Sequence, residues 1–228
     1  MKPLNKIKIK WSSAFAYAVG LLVTDGSLSK DGRHISFTSK DIELAENLKK
    51  SLGIDNRLGM KGNGTDRTKR YYVLQIGDIL LYRFLKTIGL MPNKTKVMGQ
   101  VEIPKKYFFD FLRGHFDGDG TFYSYWDPRW KSSFMFYTEF VSASKKHIEW
   151  IRDVLFGLLK IKGHITGNSE TAVYQLKYAK AESLTLLPKM FYHDNAICLS
   201  RKRIKIEKAL EIDGKKYLVG DEDDILAI

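Results

Sequence analysis

The sequence predicts an α+β protein made of two copies of one repeat, each in the order αββαββα. The first observation is that residues 18–26 and 112–120 read alike. Both are mostly apolar or small, both have glycine third, and both end in Asp-Gly. The second is that each stretch is followed by the same succession of hairpin turns and helical apolar spacings. Internal duplication is a strong indication of fold, and helices would cover one face of each sheet.

Caps, turns and periodicity predict the elements of the first copy. Ser12 or Ser13 can cap the first helix, Ser39 can cap the second, and Asp31-Gly32 is typical of a hairpin turn. The predicted elements are a helix at residues 14–24, strands at 27–29 and 33–38, a helix at 40–52, strands at 56–60 and 69–76, and a helix at 79–88.

The second copy repeats this order with a longer first hairpin. Gly26 to Ser39 is 13 positions and Gly120 to Ser144 is 24, so the hairpin gains about eleven residues. The predicted elements are a helix at 106–118, strands at 121–125 and 132–142, a helix at 144–159, strands at 162–168 and 172–178, and helices at 181–191 and 200–210. The predicted segments are a basic arm (1–11), repeat 1 (12–95), a linker (96–105), repeat 2 (106–210) and an acidic tail (211–228).

Glycines punctuate both motif stretches. Gly26 and Gly120 suit the left-handed position that ends a helix. Gly20 and Gly114 would let two helix backbones approach closely, because small residues permit such crossings. The sequence therefore predicts two helices that cross side by side through their glycines.

Asp25 and Asp119 precede the closing glycines, at the ends of the two predicted helices. A helix C-terminus carries partial negative charge, so a carboxylate there is repelled. One such aspartate is unremarkable, and the alternative is a buried or capping role for each. Two at matched places predict a cation between them that offsets the repulsion.

The two stretches resemble the paired motifs of the LAGLIDADG homing endonuclease family in its single-chain, two-motif form. The resemblance covers roughly residues 11–210, and Val23 and Thr24 depart from the family's Asp and Ala. It implies paired motif helices and saddle-shaped antiparallel sheets that bind DNA. The matching residues are Gly20, Leu21, Asp25, Gly26, Leu112, Gly114, Asp117, Asp119 and Gly120.

The resemblance also implies an activity: a monomeric, intron-encoded mobile-element endonuclease that makes a staggered double-strand cut in a long pseudo-palindromic site. Mg²⁺ is the expected cofactor, since the ligands are carboxylates; Mn²⁺ would substitute, and Ca²⁺ would bind without supporting cleavage. The alternatives are an RNA maturase that assists splicing of its own intron and a DNA-binding regulator that does not cleave. The implied catalytic residues are Asp25, Asp119, Lys94 and Lys202, with Asp25 and Asp119 as metal ligands and the backbone of Thr24 and Gly118 as further candidate ligands.

Outward-facing residues of the predicted strands and hairpin loops are the candidates for DNA contact. A β-ribbon fits the major groove, where polar side chains read base edges, and basic loops bind phosphates. The alternative is an ordinary solvated strand face. The candidates are His34, Ser36, Thr38, Lys69, Tyr71, Gln75, Arg129, Lys131, Tyr137, Gln175 and Lys177.

Composition favours a polyanionic partner. The 228 residues carry a formal net charge of +12, which predicts a nucleic-acid partner. The resemblance implies double-stranded DNA as that partner, with the intron's own RNA as the alternative. The alternative is a solvated basic surface. Cys198 is the single cysteine, so an internal disulfide is excluded. We expect an intracellular protein of a prokaryotic cytoplasm or organelle matrix, with no signal peptide, no membrane association and no obligate protein partner.

Overall fold

The computed structural model describes residues 6–62, 70–168 and 173–214. The first repeat contains α1 (Ser13–Thr24), β1 (Gly26–Leu28), β2 (His34–Ser39), α2 (Ile42–Leu52), β3 (Leu58–Gly62), β4 (Arg70–Gly77) and α3 (Ile79–Thr87). The second contains α4 (Phe108–Asp119), β5 (Thr121–Trp126), β6 (Phe134–Ser142), α5 (Lys145–Leu159), β7 (His164–Asn168), β8 (Val173–Ala179), α6 (Lys180–Met190) and α7 (Ser200–Ile212). Short 3₁₀ turns lie between them at Lys94–Lys96 and Lys105–Tyr107.

Each repeat forms its own four-stranded antiparallel sheet. The strand orders are β1-β2-β4-β3 and β5-β6-β8-β7, which are the same order in repeat numbering. The helices cover the apolar face of each sheet, where Phe37 and Leu74 of the first and Phe140 and Leu176 of the second are fully buried. The predicted α+β fold of two pseudo-symmetric repeats is confirmed.

The repeats are joined through α1 and α4, which cross at their glycines as predicted. A Cβ atom at Gly20 would lie 2.2 Å from the carbonyl oxygen of Phe111, and one at Gly114 would lie 2.1 Å from that of Tyr17. Both distances are far below contact, so any larger side chain would push the helices apart.

Two local predictions were wrong. Gly26 and Gly120 do not adopt the left-handed conformation; Gly120 is extended (φ −78°, ψ 161°), and neither is among the glycines with positive φ. Glycine is required there because a Cβ would lie 2.4 Å from the Leu22 carbonyl oxygen and 2.5 Å from a Phe116 ring carbon, respectively.

Ser39 does not cap α2. It ends strand β2, and its hydroxyl accepts from the amide of Asp41, which is the residue before the helix. By contrast Ser12 caps α1 as predicted, accepting from the Phe15 amide at 3.1 Å. Among the described residues, none of the helices combines the length and apolar character that a bilayer span requires.

The two motif helices differ in their interiors. In α4, Arg113 is 1% exposed and forms an ion pair with Asp110 at 2.8 Å. Arg113 also donates to the carbonyls of Met190 and Ile197, at 2.6 and 2.9 Å. Val19 holds the matching place in α1, so the duplication conserves packing position but not side-chain chemistry.

Candidate functional site

The C-terminal turns of α1 and α4 touch. A Cβ atom on Gly118 would lie 2.0 Å from the hydroxyl oxygen of Thr24 and 2.8 Å from a carboxylate oxygen of Asp25. The Thr24 hydroxyl donates to the Leu21 carbonyl at 3.0 Å and to Asp25 at 3.2 Å. Because Asp119 directly follows Gly118, the crossing brings the ends that carry both motif carboxylates together.

The two carboxylates interact electrostatically. Burial, and after it the charge of Asp119, raises the pKa of the Asp25 carboxyl to about 6. Burial also raises the pKa of Asp119, although the ammonium groups of Lys94 and Lys202 oppose that rise. Like charges held close at two negative helix ends form a site that favours a cation.

Lys94 lies beside the end of α1 and is buried. Its Nζ donates to the carbonyl of Gly26 at 2.5 Å and approaches that of Thr24 at 3.5 Å. Burial lowers the pKa of Lys94 to about 8, against the opposing pull of Asp119 and Asp25. Lys94 therefore binds the helix end and stands in the electrostatic field of both carboxylates.

Lys202 is its counterpart at the end of α4, reached from the first turn of α7. Its Nζ donates to the carbonyls of Phe116, Asp117 and Gly120, at 2.5, 2.8 and 2.6 Å. Burial lowers the pKa of Lys202 to about 8. These contacts hold the last turn of α4, where the Phe116 carbonyl also accepts from the Gly120 amide at 2.9 Å, and they engage all three ammonium protons. Its influence on a substrate would therefore be electrostatic rather than through a free N–H.

Asp117 has a structural role: its carboxylate forms hydrogen bonds at the end of α4 and is not assigned as a metal ligand. It is fully buried, and one carboxylate oxygen accepts from the hydroxyl of Tyr17 at 2.8 Å and the amide of Leu199 at 2.7 Å. Burial raises the pKa of Asp117 to about 6. The residue thus ties α4 to α1 and to the segment before α7.

A histidine pair, which sequence analysis did not predict, lies behind this site. His115 of α4 and His147 of α5 are both 1% exposed and stack with ring centroids 5.2 Å apart. His147 donates from Nδ1 to the Gly99 carbonyl at 2.7 Å. A cavity of about 50 Å³ separates them from Lys94 and Asp119. The pairing depends on the packing of α5 on α4, which spacing along the chain does not reveal.

The first sheet presents most of its predicted DNA-contact residues on the face away from the helices. Register places Ser36 opposite Gln75 and Thr38 opposite Val73, alternating with buried Ile35 and Phe37. His34 and Tyr71 have the same alternation, and the Lys40 ammonium lies 5.6 Å from the Tyr71 ring centre. Lys69 lies outside the described residues.

The second sheet has a more aromatic outward face. Tyr137 stacks on Tyr123, directly opposite it, and on Tyr125, with centroids 5.2 and 6.3 Å apart. The predicted contact residues Gln175 and Lys177 are on this face, as is Glu139, which pairs with Lys177 in the register. Sequence reasoning missed Tyr123 and Tyr125, which a strict count of alternation from Phe122 would have found.

The predicted phosphate contacts Arg129 and Lys131 lie in the long β5–β6 connection and are exposed. Arg129 is 81% exposed while forming an ion pair with Asp127 at 3.2 Å. Trp130 stands between the two cations and is 69% exposed. The longer hairpin thus carries two aromatic side chains, Trp130 and the 54% exposed Trp126, and two basic side chains into solvent.

Family models match both halves of the chain. A model described as a LAGLIDADG-like domain matches residues 13–89, and one described as the WhiA LAGLIDADG-like domain matches residues 108–208. The chain is a two-motif LAGLIDADG protein. The predicted family is confirmed by these matches.

Solved structures share the fold of this LAGLIDADG protein at low sequence identity. Full-length DUF199/WhiA from Thermatoga maritima has 16% identity and a TM-score of 0.56, covering 95% of this chain and 66% of that one. The homing endonuclease I-WcaI bound to its DNA recognition sequence has 13% identity, TM-score 0.57 and coverages of 87% and 88%. The homing endonuclease I-LtrWI bound to target DNA has 14% identity, TM-score 0.55 and coverages of 88% and 90%.

One curated relative is closer in sequence but much longer. A probable translation initiation factor IF-2 of Thermococcus kodakarensis is 33% identical over 131 residues. That match covers 52% of this chain and 10% of the factor. The LAGLIDADG protein therefore spans about a tenth of this relative's length.

The motif carboxylates fit a hard divalent cation. Mg²⁺ is commonly bound through one or two carboxylates, with water and substrate phosphate completing its shell. Among the described residues no group of three or more His, Cys, Asp or Glu side chains is placed to hold a metal. A two-carboxylate site at two adjoining helix ends suits a Mg²⁺ ion that also takes a phosphate and water as ligands. It does not suit a metal whose ligands all come from the protein.

Proposed function

We propose that this LAGLIDADG protein binds double-stranded DNA across its two sheets and hydrolyses a phosphodiester bond in each strand with Mg²⁺. The observation that carries the proposal is the meeting of Asp25 and Asp119 at two helix ends that touch. Each end is held by a buried lysine. A protein that only bound DNA would gain nothing from two carboxylates placed against the phosphates.

Double-stranded DNA is supported as partner by charge and by the neighbours. Two of the structures with this fold are described as bound to a DNA target or recognition sequence. The net charge of +12 suits a polyanion, and the outward sheet faces carry the polar groups that read base edges. None of the relatives named above is described as binding intron RNA, so the maturase alternative gains no support from them.

The roles of the residues follow from their contacts. Asp25 and Asp119 would hold Mg²⁺, with the backbone of Thr24 and Gly118 as further candidate ligands. The ion, when bound, supplies Lewis-acid stabilisation and a more acidic water. Lys94 keeps one ammonium proton beyond its two described carbonyl contacts and could donate it to a phosphate oxygen. Lys202 stabilises developing negative charge through its field.

The pseudo-symmetry supports the finer prediction of one cut per strand. Each repeat contributes one carboxylate and one lysine to the central site, and one sheet to one half of the duplex. Because the two sheet faces differ in sequence, the target would be pseudo-palindromic and the cuts staggered. One chain supplies both halves, so it would act as a monomer. Mobility within an intron remains a prediction.

The test is cleavage of a randomised duplex library by the full chain in Mg²⁺. Recovered ends should share a sequence, and Asp25→Asn and Asp119→Asn should each slow cutting by roughly 10³-fold while binding persists. Asp153→Asn, at an exposed ion pair on α5, is the matched control and should cut normally. Mn²⁺ should support cutting, whereas Ca²⁺ should support binding alone. Equal cutting by Asp25→Asn and the parent chain would overturn the proposal.

A second candidate is a DNA-binding protein that does not cut. The family matches favour it, since the model over residues 108–208 is the WhiA domain and neither model is described as a nuclease. WhiA also covers 95% of this chain. Sequence-specific binding with no nick in either Mg²⁺ or Mn²⁺ would establish this candidate in place of the first.

A further inference from the structure

The innermost outward row of each sheet carries different chemistry in the two repeats. β1 starts at Gly26 and β5 at Thr121, so their first outward residues, Ser27 and Thr121, each lie two residues after a motif Asp and are symmetry-related. In the first sheet this row runs across the paired strands as Ser27, Ser36 and Gln75. In the second it runs as Thr121, Glu139 and Lys177. A neutral row in the first sheet thus corresponds to a row with an ion pair in the second, next to the proposed cleavage site.

The ion pair restrains a cation on the surface. Lys177 Nζ lies 3.8 Å from Glu139 Oε1, and the side chains are 30% and 7% exposed, respectively. Burial, and after it the charge of the neighbouring Glu139, raises the pKa of the Tyr123 hydroxyl. Glu139 is therefore buried within the outward face of the sheet, and Lys177 is the member of the pair that reaches solvent.

Glu139 also limits what Lys177 can bind. A lone surface lysine on a basic protein is a natural phosphate contact, since it needs only negative charge. A carboxylate held against the ammonium offsets much of that attraction and repels a phosphate that approaches both groups. Uncharged acceptors with fixed direction are repelled far less, and guanine presents two of them, O6 and N7, in the major groove.

We propose that Lys177, oriented by Glu139, reads a guanine at the innermost position of the second half-site, whereas Gln75 reads an adenine at the matching position of the first. Gln75 is exposed and carries both the donor and the acceptor that pair with adenine N7 and N6. Glu139 is here a positioning residue. The inference rests on the proposed orientation of both sheets toward DNA, and does not depend on cutting.

The experiment is selection of bound sequences from a randomised duplex library by the full chain in Ca²⁺, followed by affinity measurements on single-base variants. The two innermost symmetry-related positions should differ, with guanine in one half-site and adenine in the other. Replacement of the guanine should weaken binding roughly tenfold or more. Lys177→Gln should shift that preference to adenine and leave the other half-site unchanged.

Two further variants separate base reading from phosphate binding. Glu139→Gln should raise affinity for all duplexes and lower discrimination at the guanine, because the ammonium is no longer neutralised. Lys131→Ala, in the exposed hairpin loop, is the control: it should weaken binding to all sequences alike and reduce the salt slope by about 1. Thermal melting of each variant near that of the parent chain shows that it folds.

The outcomes are distinct. Identical bases at the two positions, or a Lys177→Gln variant that behaves like Lys131→Ala, would overturn the assignment of Lys177 as a base reader. Absence of any DNA binding would instead overturn the proposed function. Binding with the predicted bases but no cutting in Mg²⁺ would leave this inference standing and support the non-cleaving candidate.

Discussion

Arg113 and Asp110 show how a single residue pair can fix one half of a duplicated scaffold. Ser13 and Tyr192 hydroxyls donate to the Asp110 carboxylate, while the Arg113 guanidinium lies over the rings of Tyr17 and Tyr192. The network links α4 to the start of α1 and to the segment after α6. The buried Asp110 carboxylate thus has hydrogen-bond donors as well as an ion-pair partner. A buried ion pair is stable only when such additional hydrogen bonds offset the cost of desolvating it.

Arg113→Met should therefore lower the free energy of unfolding by about 3–5 kcal/mol, because it leaves the Asp110 carboxylate buried without its partner. Arg152→Met is the matched control; its ion pair with Asp153 is exposed and should contribute under about 1 kcal/mol. Chemical denaturation of both variants measures the difference. Similar values for the two would mean that the network stabilises α4 no more than a surface pair does.

His147 offers a pH prediction at the same scale. Burial lowers its pKa from 6.5 to about 4, so the folded protein disfavours the charged ring. The stability that comes from keeping it neutral is complete above pH 6.5 and is lost as pH falls toward 4. Linkage gives this loss as about 3 kcal/mol. Asp25 and Asp117, with raised pKa values, change stability in the opposite direction over the same range.

A comparison with His147→Asn isolates the contribution of His147 to the pH dependence of stability, since asparagine keeps a donor for the Gly99 carbonyl and does not titrate. The parent chain should be the more stable at pH 7.5, and its advantage should shrink by about 3 kcal/mol at pH 4.5. Denaturant unfolding at both pH values measures this difference. An advantage that stays constant with pH would show that the ring is not held neutral.

At the scale of elements, the molecule depends on the crossing of α1 and α4. Every part of the candidate site is positioned by it. The two carboxylates end these helices, the two lysines bind carbonyls at the helix ends, and β1 and β5 start one and two residues after the carboxylates. The crossing is possible only because Gly20 and Gly114 have no side chains. A change at the crossing should therefore act on the site without touching any polar group.

Gly20→Ala and Gly114→Ala should each destabilise the protein by at least about 2 kcal/mol, because the new methyl group would overlap a backbone carbonyl at 2.2 or 2.1 Å. Gly157→Ala is the control within α5, where a Cβ meets nothing within 4 Å and alanine should stabilise the helix by about 0.5–1 kcal/mol. Thermal unfolding of the three variants measures these changes in stability and compares the two crossing glycines with the control. Equal shifts at all three positions would contradict the close crossing.

Sequence reasoning predicted the elements and their order well because the same repeat occurs twice in the chain. Helical spacing and hairpin signals in one copy could be checked against the other. The choice of Asp25 and Asp119 followed from their repetition, from the negative charge of the helix ends and from the family resemblance. It failed where three-dimensional neighbours decide the conformation. Gly26 and Gly120 are required by the carbonyl and ring behind them rather than by their own φ. The stacking of His115 on His147 depends on contacts distant in sequence.

At the scale of the whole molecule, two sheets related by pseudo-symmetry flank one central site. Under the proposed function, a net charge of +12 spread over both halves would make association with DNA an electrostatic event before it is a sequence-specific one. The first sheet offers hydroxyl, imidazole and amide groups, and the second offers stacked tyrosines and an ion pair. Each half should therefore contribute separately to affinity and differently to specificity.

Salt dependence tests whether both sheets engage one duplex. If each half neutralises several phosphates, log Kobs for the full site should fall with log[salt] with a slope of about −5 or steeper, since each neutralised phosphate contributes about −0.9. A duplex cut down to one half-site should show about half that slope, because only one sheet remains in contact. Fluorescence anisotropy across a salt series measures both. Equal slopes for the full and half duplexes would mean that only one sheet binds DNA, and the two-sheet interface would then be wrong even if the sequence preference held.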